Sequence, residues 1–321
     1  LGPSLGGCRM WQYPTTSDAA DDALRLSRAM TLKAAAAGLS LGGGKGVICL
    51  PPGRRVPEGR ARRDVLLDFA DTVDALEGSY ITAEDVGTSA RDMVTIAERT
   101  AHVTGLPAAH GGSGDPSSFT AQGVEAAMRA CCAAAFGEAD LAGRTVAVVG
   151  CGHVGERLAR RLAGAGARLV LADVDERKQS LAAELPAASW AEPDEAVLAQ
   201  VDVLAPCALG GVLDEHTVPR VCARVVCGAA NNQLARDDLA ADLAARDVLY
   251  APDFVVNAGG LVNVAAELEP GGYDPERTRG RVDEIEGVMA AILAEAAEDG
   301  TTPLAAALRR ARRRLDPAPP R

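Results

Sequence analysis

The stretch RTVAVVGCGHVGERLARRLAGAGARLVLADVD, residues 144–175, decides the fold. A β-branched run leads into Gly150, Gly152 and Gly155, spaced G-x-G-x-x-G. An amphipathic helical stretch follows, and a second apolar run ends at Asp173, 18 residues beyond Gly155. In a chain with 34 glycines the spacing alone is a weak signal. Strand, turn, helix, strand and acid in that order make it a dinucleotide-binding βαβ unit. Gly150 allows the tight turn, Gly152 lets the backbone approach a pyrophosphate, and Gly155 permits close helix–strand packing. The backbone of Cys151, Gly152, His153 and Val154 then offers free amides, and the helix dipole adds to them, against the phosphate charge. Asp173 would accept hydrogen bonds from ribose hydroxyls and repel a 2′-phosphate, which favours NAD over NADP.

Working outward, candidate strands at 144–149, 168–173, 201–206, 224–229 and 248–251 alternate with helical stretches. That is the pattern of a doubly wound, mostly parallel Rossmann sheet. A helix over 119–136 precedes it, and helices over 281–299 and 302–314, separated by Asp299-Gly300, follow. The run RRARRR at 309–314 reads as a solvated helical face. GLPAAHGGSGDPSS, 105–118, is the one long cluster of helix and strand breakers, so the domain boundary is expected there. Ahead of it, Ser17 can cap a helix whose apolar positions are Ala23, Leu26, Met30, Ala34 and Ala37. A strand at 47–50, a loop over 51–63, a helix near 64–77, a strand at 80–87 and a helix near 90–100 complete a first α/β layer. The expected fold class is therefore α/β with two domains. Residues 1–118 form a substrate-binding domain, 119–285 a Rossmann NAD domain, and 286–321 are C-terminal helices that close the structure and return to the first domain.

Composition excludes several classes. The 321 residues are too many for one small core, and 48% hydrophobic with 24% charged residues is the balance of a globular enzyme. A net charge of −11 argues against nucleic acid or an anionic membrane as partner. No apolar run approaches the roughly 20 residues of a membrane span, and the opening LGPSLGGCRM lacks the basic and apolar regions of a signal peptide. The eight cysteines form no C-x-x-C pair and mostly sit in apolar runs, so reduced, buried thiols in a cytoplasmic protein are expected. His102, His110, His153 and His216 have no metal-ligand spacing, and no metal site is expected.

Two lysines carry the chemistry. Lys33 falls on the apolar stripe of Leu26, Met30 and Ala37, where a charged amine is costly without an anion nearby. Lys45 stands in GGGKG, open to close approach. A phosphate-binding P-loop fails, because Leu39 occupies the first glycine position and Gly46 follows the lysine. Each lysine alone reads more readily as a surface or snorkelling residue; two beside a dinucleotide domain suggest a division of roles. One ammonium grips a carboxylate, while a second in a poorly solvated cleft can lose its proton near neutral pH. Asp85, ending YITAED, is a carboxylate aimed at the same place; it could also cap the next helix, as could Thr88 or Ser89.

The sequence resembles the Glu/Leu/Phe/Val dehydrogenase family, in its leucine, valine and phenylalanine dehydrogenase branch. The resemblance rests on GPSLGGCRMW (2–11), RLSRAMTLKAAAAGLSLGGGKGVI (25–48), YITAEDVGT (80–88), the glycine turn, APCALGG (205–211), CGAANNQLA (227–235) and YAPDFVVNAGGLVNVAAEL (250–268). It implies NAD-dependent, reversible oxidative deamination of an L-amino acid to the 2-oxo acid, ammonium and NADH, by a homo-oligomer. It further implies that Lys33 binds the substrate carboxylate, Lys45 is the base that activates water, and Asp85 shuttles protons at the amino nitrogen. Gly6 and Gly7 would give backbone contacts at the carboxylate, and Asn257 would orient substrate and nicotinamide. Thr120, Ala208, Asn231 and Asn232 would line the cofactor cleft. Leu5, Ala83, Leu261 and Val264 would form the side-chain pocket. All four are apolar, so a glutamate side chain would leave a buried carboxylate unpaired, and a branched-chain substrate is favoured with phenylalanine as the alternative.

The family carries a few dozen residues ahead of GPSLGG, so the sequence is expected to be a fragment or to start from a misassigned position. That motivates a rival reading, a catalytically weak paralogue that binds NAD and senses or interacts. A hydroxy-acid dehydrogenase is a third, but it needs a histidine beside the substrate and His153 lies inside the glycine turn. Closure about 105–118 would bring cofactor and substrate together and exclude water.

Overall fold

β1 (Ser4–Gln12) has no counterpart among the strands read from the sequence, yet it is the centre of the first sheet. Its sequence, SLGGCRMWQ, holds two glycines and no clean alternation, because both faces are covered and the period-2 signal is lost. The computed structural model describes residues 1–316, and these divide into two units. One comprises Leu1–Pro116, Leu261–Thr278 and the chain from Ala311; the other comprises Ser117–Gly260 and Arg279–Arg310. Of the C-terminal segment expected over 286–321, residues 317–321 lie outside the described residues.

In the first unit, β2 (Gly42–Gly43) and β3 (Gly46–Leu50) lie end to end along one edge of β1, and β4 (Tyr80–Glu84) lies along the other, all parallel. The crossovers are α1 (Thr16–Ala36) and α2 (Gly59–Asp74), and α3 (Ala90–Ile96) follows β4. Thr15, not Ser17, caps α1: its side chain accepts from the Asp18 amide while Asp18 reaches back to the Thr15 amide. Ser17 would have Ala20 in the reciprocal position, which cannot answer. Ser89 caps α3 in the same way through Asp92. One face of the sheet, with Met10 and Leu50, packs on Leu66 and Ala70 of α2 and Met93 and Ile96 of α3.

The second sheet contains β5 (Thr145–Val149), β6 (Arg168–Ala172), β7 (Ala188–Trp190), β8 (Val203–Pro206), β9 (Val225–Val226) and β10 (Leu249–Tyr250). Its order is β10-β9-β8-β5-β6-β7, every pairing parallel. This is the doubly wound Rossmann order, with the switch point between β5 and β8. β7 is only three residues and carries no periodicity the sequence could reveal. The helices are α4 (Ser117–Phe136), α5 (His153–Gly164), α6 (Gln179–Glu184), α7 (Pro193–Val197) and α8 (Leu239–Ala244). After β10 come α9 (Asp253–Val256), α10 (Gly259–Ala265), α11 (Pro275–Glu298) and α12 (Pro303–Leu315). α11 starts six residues before the expected 281, on a proline whose missing N–H costs nothing at a first helical position. All eight cysteines are free thiols, five of them buried and Cys49 and Cys222 exposed. Among the described residues no helix is long and apolar enough to cross a membrane, and no group of three or more His, Cys, Asp or Glu is placed to hold a metal.

Candidate active site

The register of the first sheet builds the site. Ser4 and Leu5 pair with Gly42 and Gly43, and Cys8 pairs with Gly46, so Gly7 faces Lys45 across the gap between β2 and β3. On the other edge Cys8 pairs with Glu84, which sets Arg9 beside Asp85. Residues 5, 7 and 9 point to one face of a strand, so Lys45, Ala83, Arg9 and Asp85 share a face with Leu5. Gly7 has no side chain in the middle of this row, and Lys45 reaches over it. A Cβ on Gly7 would lie 2.5 Å from the Glu84 carbonyl oxygen and 2.7 Å from the Asp85 Cβ.

Lys45 Nζ meets Asp85 Oδ1 at 2.7 Å, with the lysine side chain only 5% exposed and the aspartate 22%. Asp85 does not cap α3. Its amide donates to Thr88 Oγ1 at 2.9 Å, and that hydroxyl donates to the Cys8 carbonyl at 2.8 Å, a turn that fixes the carboxylate at the end of β4. The second carboxylate oxygen accepts from Arg9 Nε at 2.9 Å. Arg9 Nη1 in turn donates to Asp22 Oδ2 at 3.0 Å, and Asp22 also accepts from the Tyr13 hydroxyl at 2.6 Å and pairs with Arg25.

Burial pushes the Lys45 amine below the ordinary lysine value, against the opposing pull of the Asp85 charge, and Arg9 adds to the lowering. Burial alone would raise the Asp85 carboxyl, but Lys45 and Arg9 outweigh it and hold it below the ordinary aspartate value. The cation acting on Lys45 beside Asp85 is thus Arg9, a residue the sequence reading missed. The signal existed: an arginine inside GGCRMW, between Cys8 and Met10, which are both fully buried. It becomes legible only once residues 4–12 are known to be a strand.

The remaining sequence-read residues divide between the units. Leu5, Gly6, Gly7, Ala83 and Val264 are buried and Leu261 half-buried, all in the first unit. Lys33 is half-buried in the last turn of α1, two residues beyond Thr31, against which Gly43 packs. In the second unit Gly150 takes φ +102°, and a Cβ there would meet Ala208 at 2.6 Å. A Cβ on Gly155 would run into the Gly150 carbonyl oxygen, whereas Gly152 has nothing within 4 Å. That open backbone at the start of α5, flanked by exposed His153 and half-buried Val154, fits a pyrophosphate. Asp173 Oδ2 accepts from the Cys151 amide at 2.6 Å, so the acid at the end of β6 also braces the turn. The next residue, Val174, is 91% exposed.

Asn257 donates to Asn231 Oδ1 at 2.9 Å and to the Ala229 carbonyl at 3.0 Å, yet its own Oδ1 is buried without a partner. A buried acceptor lacking a donor is what an incoming N–H would satisfy. Asn231 and Ala208 are exposed and Thr120 half-buried, while Asn232 holds a left-handed backbone with φ 52°.

A buried amine–carboxylate pair in one α/β unit and a dinucleotide turn in another define an oxidoreductase of the nicotinamide-dependent dehydrogenase class. Residues 1–102 match the family described as Glu/Leu/Phe/Val dehydrogenase, dimerisation domain, and residues 170–318 match Glutamate/Leucine/Phenylalanine/Valine dehydrogenase. Residues 122–209 match the NAD binding domain of D-isomer specific 2-hydroxyacid dehydrogenases, a likeness confined to the Rossmann segment. The chain is 42% identical to a leucine dehydrogenase of Thermoactinomyces intermedius over 98% of this chain and 84% of that one. It is 44% identical to a valine dehydrogenase of Streptomyces virginiae over 99% of this chain and 88% of that one. Among solved structures, L-tryptophan dehydrogenase from Nostoc punctiforme superimposes with a TM-score of 0.86 at 38% identity, covering 98% of this chain and 89% of that one. The chain belongs to the Glu/Leu/Phe/Val dehydrogenase family.

Proposed function

We propose that this protein catalyses the reversible, NAD-dependent oxidative deamination of a branched-chain L-amino acid. The observation that carries the reading is the buried Lys45–Asp85 contact at 2.7 Å, on a sheet face whose neighbouring side chains, Leu5 and Ala83, are apolar. When bound, NAD supplies the hydride acceptor. Gly150, Gly152, Gly155 and Asp173 would hold it, and Asn257 Oδ1 would take an N–H donor. Asp173 is the feature that favours NAD over its 2′-phosphorylated form.

The chain's own residues do the proton work. Lys33 grips the substrate carboxylate, with the Gly6 and Gly7 backbone beside it. Lys45, whose charged form burial disfavours, takes a proton from water as the oxygen attacks the imino carbon. Asp85, ionised at rest, takes a proton from the substrate ammonium before the hydride leaves and returns it to the amino nitrogen once water has added. The C–N bond then breaks, the hydroxyl proton departs with the nitrogen as ammonium, and the 2-oxo acid remains. A glutamate side chain is refused because Leu5, Ala83, Leu261 and Val264 offer its carboxylate no partner. One methylene in such a pocket is worth only about 1–3 kcal/mol, so valine and leucine are both turned over. The match of residues 1–102 to a dimerisation domain supports a homo-oligomer, and the free buried thiols support a cytoplasmic setting.

The test is NADH formation across valine, leucine, isoleucine, phenylalanine and glutamate, with NAD and NADP in parallel. Branched-chain substrates with NAD lead if the reading holds. NADH binding with no turnover on any amino acid or oxo acid would replace it with a binding or sensing role, and a leading phenylalanine rate would reassign the substrate.

A further inference from the structure

The Asp85 carboxylate is shared between two cations. Oδ1 takes Lys45 Nζ at 2.7 Å and Oδ2 takes Arg9 Nε at 2.9 Å. Resting on the deamination reading above, we propose that Arg9 is a positioning residue for that reaction: it pins Asp85 so that one oxygen faces Lys45, and it offsets the carboxylate's charge.

The physics turns on what Lys45 must do. A base has to release its proton, yet a lone aspartate at 2.7 Å holds an ammonium charged. With Arg9 on the second oxygen, part of that negative charge is already matched, and the proton leaves Lys45 more readily. Arginine suits this work and lysine the base, since a guanidinium keeps its proton throughout the working pH range. The chain makes the contrast plain, with three lysines against thirty arginines.

The geometry that aims Arg9 is built independently of Asp85. Asp22 of α1 accepts from Arg9 Nη1 at 3.0 Å, and is itself held by the Tyr13 hydroxyl at 2.6 Å and by Arg25 Nη2 at 2.6 Å. The charged and titratable groups that act on Lys45 are Asp85, just beyond β4, and Arg9 and Cys8 of β1. Tyr80 of β4 packs against Gly44 and Gly46 on either side of the lysine, and its hydroxyl donates to the Gly6 carbonyl. Asp22 and Arg25 of α1, with Tyr13 just before it, connect through Arg9. Burial pushes the Cys8 thiol and the Tyr13 hydroxyl up to about 12 and the Tyr80 hydroxyl well above its ordinary value, so all three are neutral at working pH. Arg62 and Asp92, which also act on Cys8, are paired with each other.

The test is the pH profile of kcat/KM for amino-acid oxidation in wild type, Arg9→Met and Arg9→Lys, together with an NMR titration of the three lysine amines in the intact protein. Removing the cation moves the rising limb, and the Lys45 titration with it, to higher pH by about one unit, as loss of a charge partner demands. Arg9→Lys keeps a cation and returns the limb to within a fraction of that shift, with a lower kcat from the lost fork. Superimposable limbs and titrations in wild type and Arg9→Met overturn the proposal, and so does an Arg9→Lys limb displaced as far as that of Arg9→Met. If Arg9→Met does not fold, Arg9→Lys and the wild-type titration decide alone: a Lys45 amine titrating at or above the ordinary lysine value overturns the proposal. Failure of the deamination reading looks different, since wild type then shows no turnover at any pH while its lysines still titrate.

Discussion

Replacing Gly7 with alanine adds one methyl group where β1 passes between Lys45 and Asp85. That Cβ would stand 2.5 Å from the Glu84 carbonyl oxygen and 2.7 Å from the Asp85 Cβ, neither of which is the loose end of a flexible side chain. Ordinary van der Waals contact begins near 3.4 Å, so the end of β4 has to retreat by about 0.7–0.9 Å. Retreat on that scale opens the 2.7 Å Lys45–Asp85 contact past hydrogen-bonding distance. Overpacking of this kind costs about 1–3 kcal/mol of stability. Misplacing a catalytic pair by about 1 Å costs on the order of 10²-fold in rate. The expected result is thus a folded variant with a lowered melting temperature, NADH affinity near that of wild type, and kcat down by about two orders of magnitude. Calorimetry, NADH fluorescence titration and steady-state rates read these separately. A Gly7→Ala enzyme with wild-type kcat and unchanged melting would refute the reasoning that Gly7 is a gap Lys45 must cross.

Gly152→Ala is the opposite case: nothing lies within 4 Å of its would-be Cβ, so melting stays unchanged while NADH affinity, by fluorescence titration, falls because the methyl occupies the phosphate approach. Asp173→Asn removes the charge but keeps an acceptor for the Cys151 amide; steady-state kinetics should show NAD used roughly tenfold or more less well, from about 1.5–3 kcal/mol of charged hydrogen bonding, and the preference over NADP narrowed. Asp92→Ala breaks the pair with Arg62, at 2.7 Å, and the α3 capping box, so urea unfolding should report about 3–5 kcal/mol lost if the first unit unfolds with the rest. Although burial would raise the Asp92 carboxyl, Arg62 and Ser89 hold it below its ordinary value. Its contribution is therefore full above about pH 4 and lost as pH falls further, and the variant's stability should fall less on acidification than that of wild type.

Legibility differed between the halves for a physical reason. The Rossmann unit announces itself because its turn needs glycine at a positive φ at Gly150 and at a backbone contact at Gly155, constraints that no other residue meets. Its strands, buried on both faces, read as short apolar runs such as TVAVV. In the first unit the central strand hides, because Gly6 and Gly7 lower its strand propensity where neighbouring backbone leaves no room for a Cβ: one on Gly6 would run into the Gly44 carbonyl oxygen and one on Gly7 into that of Glu84. Lys45 and Asp85 were legible as residue types, but their partner Arg9 was not, since its role depends on register, a property of two strands that neither sequence carries alone. The Thr15 cap is legible in principle through Asp18 three residues on, the reciprocal partner that Ser17 lacks.

The account stands on Lys45 losing a proton, and Lys45→Arg is the measurement that asks about this alone. Arginine keeps the charge and the reach toward Asp85 but releases no proton in the working range. Wild-type kcat/KM should rise with pH along a limb centred below 10.5, the ordinary lysine value. The Lys45→Arg enzyme should bind NADH normally and show no turnover at any pH, as Lys45→Ala should. Turnover by Lys45→Arg at anything near the wild-type rate would contradict the account, because a fixed positive charge would then be all that position 45 supplies.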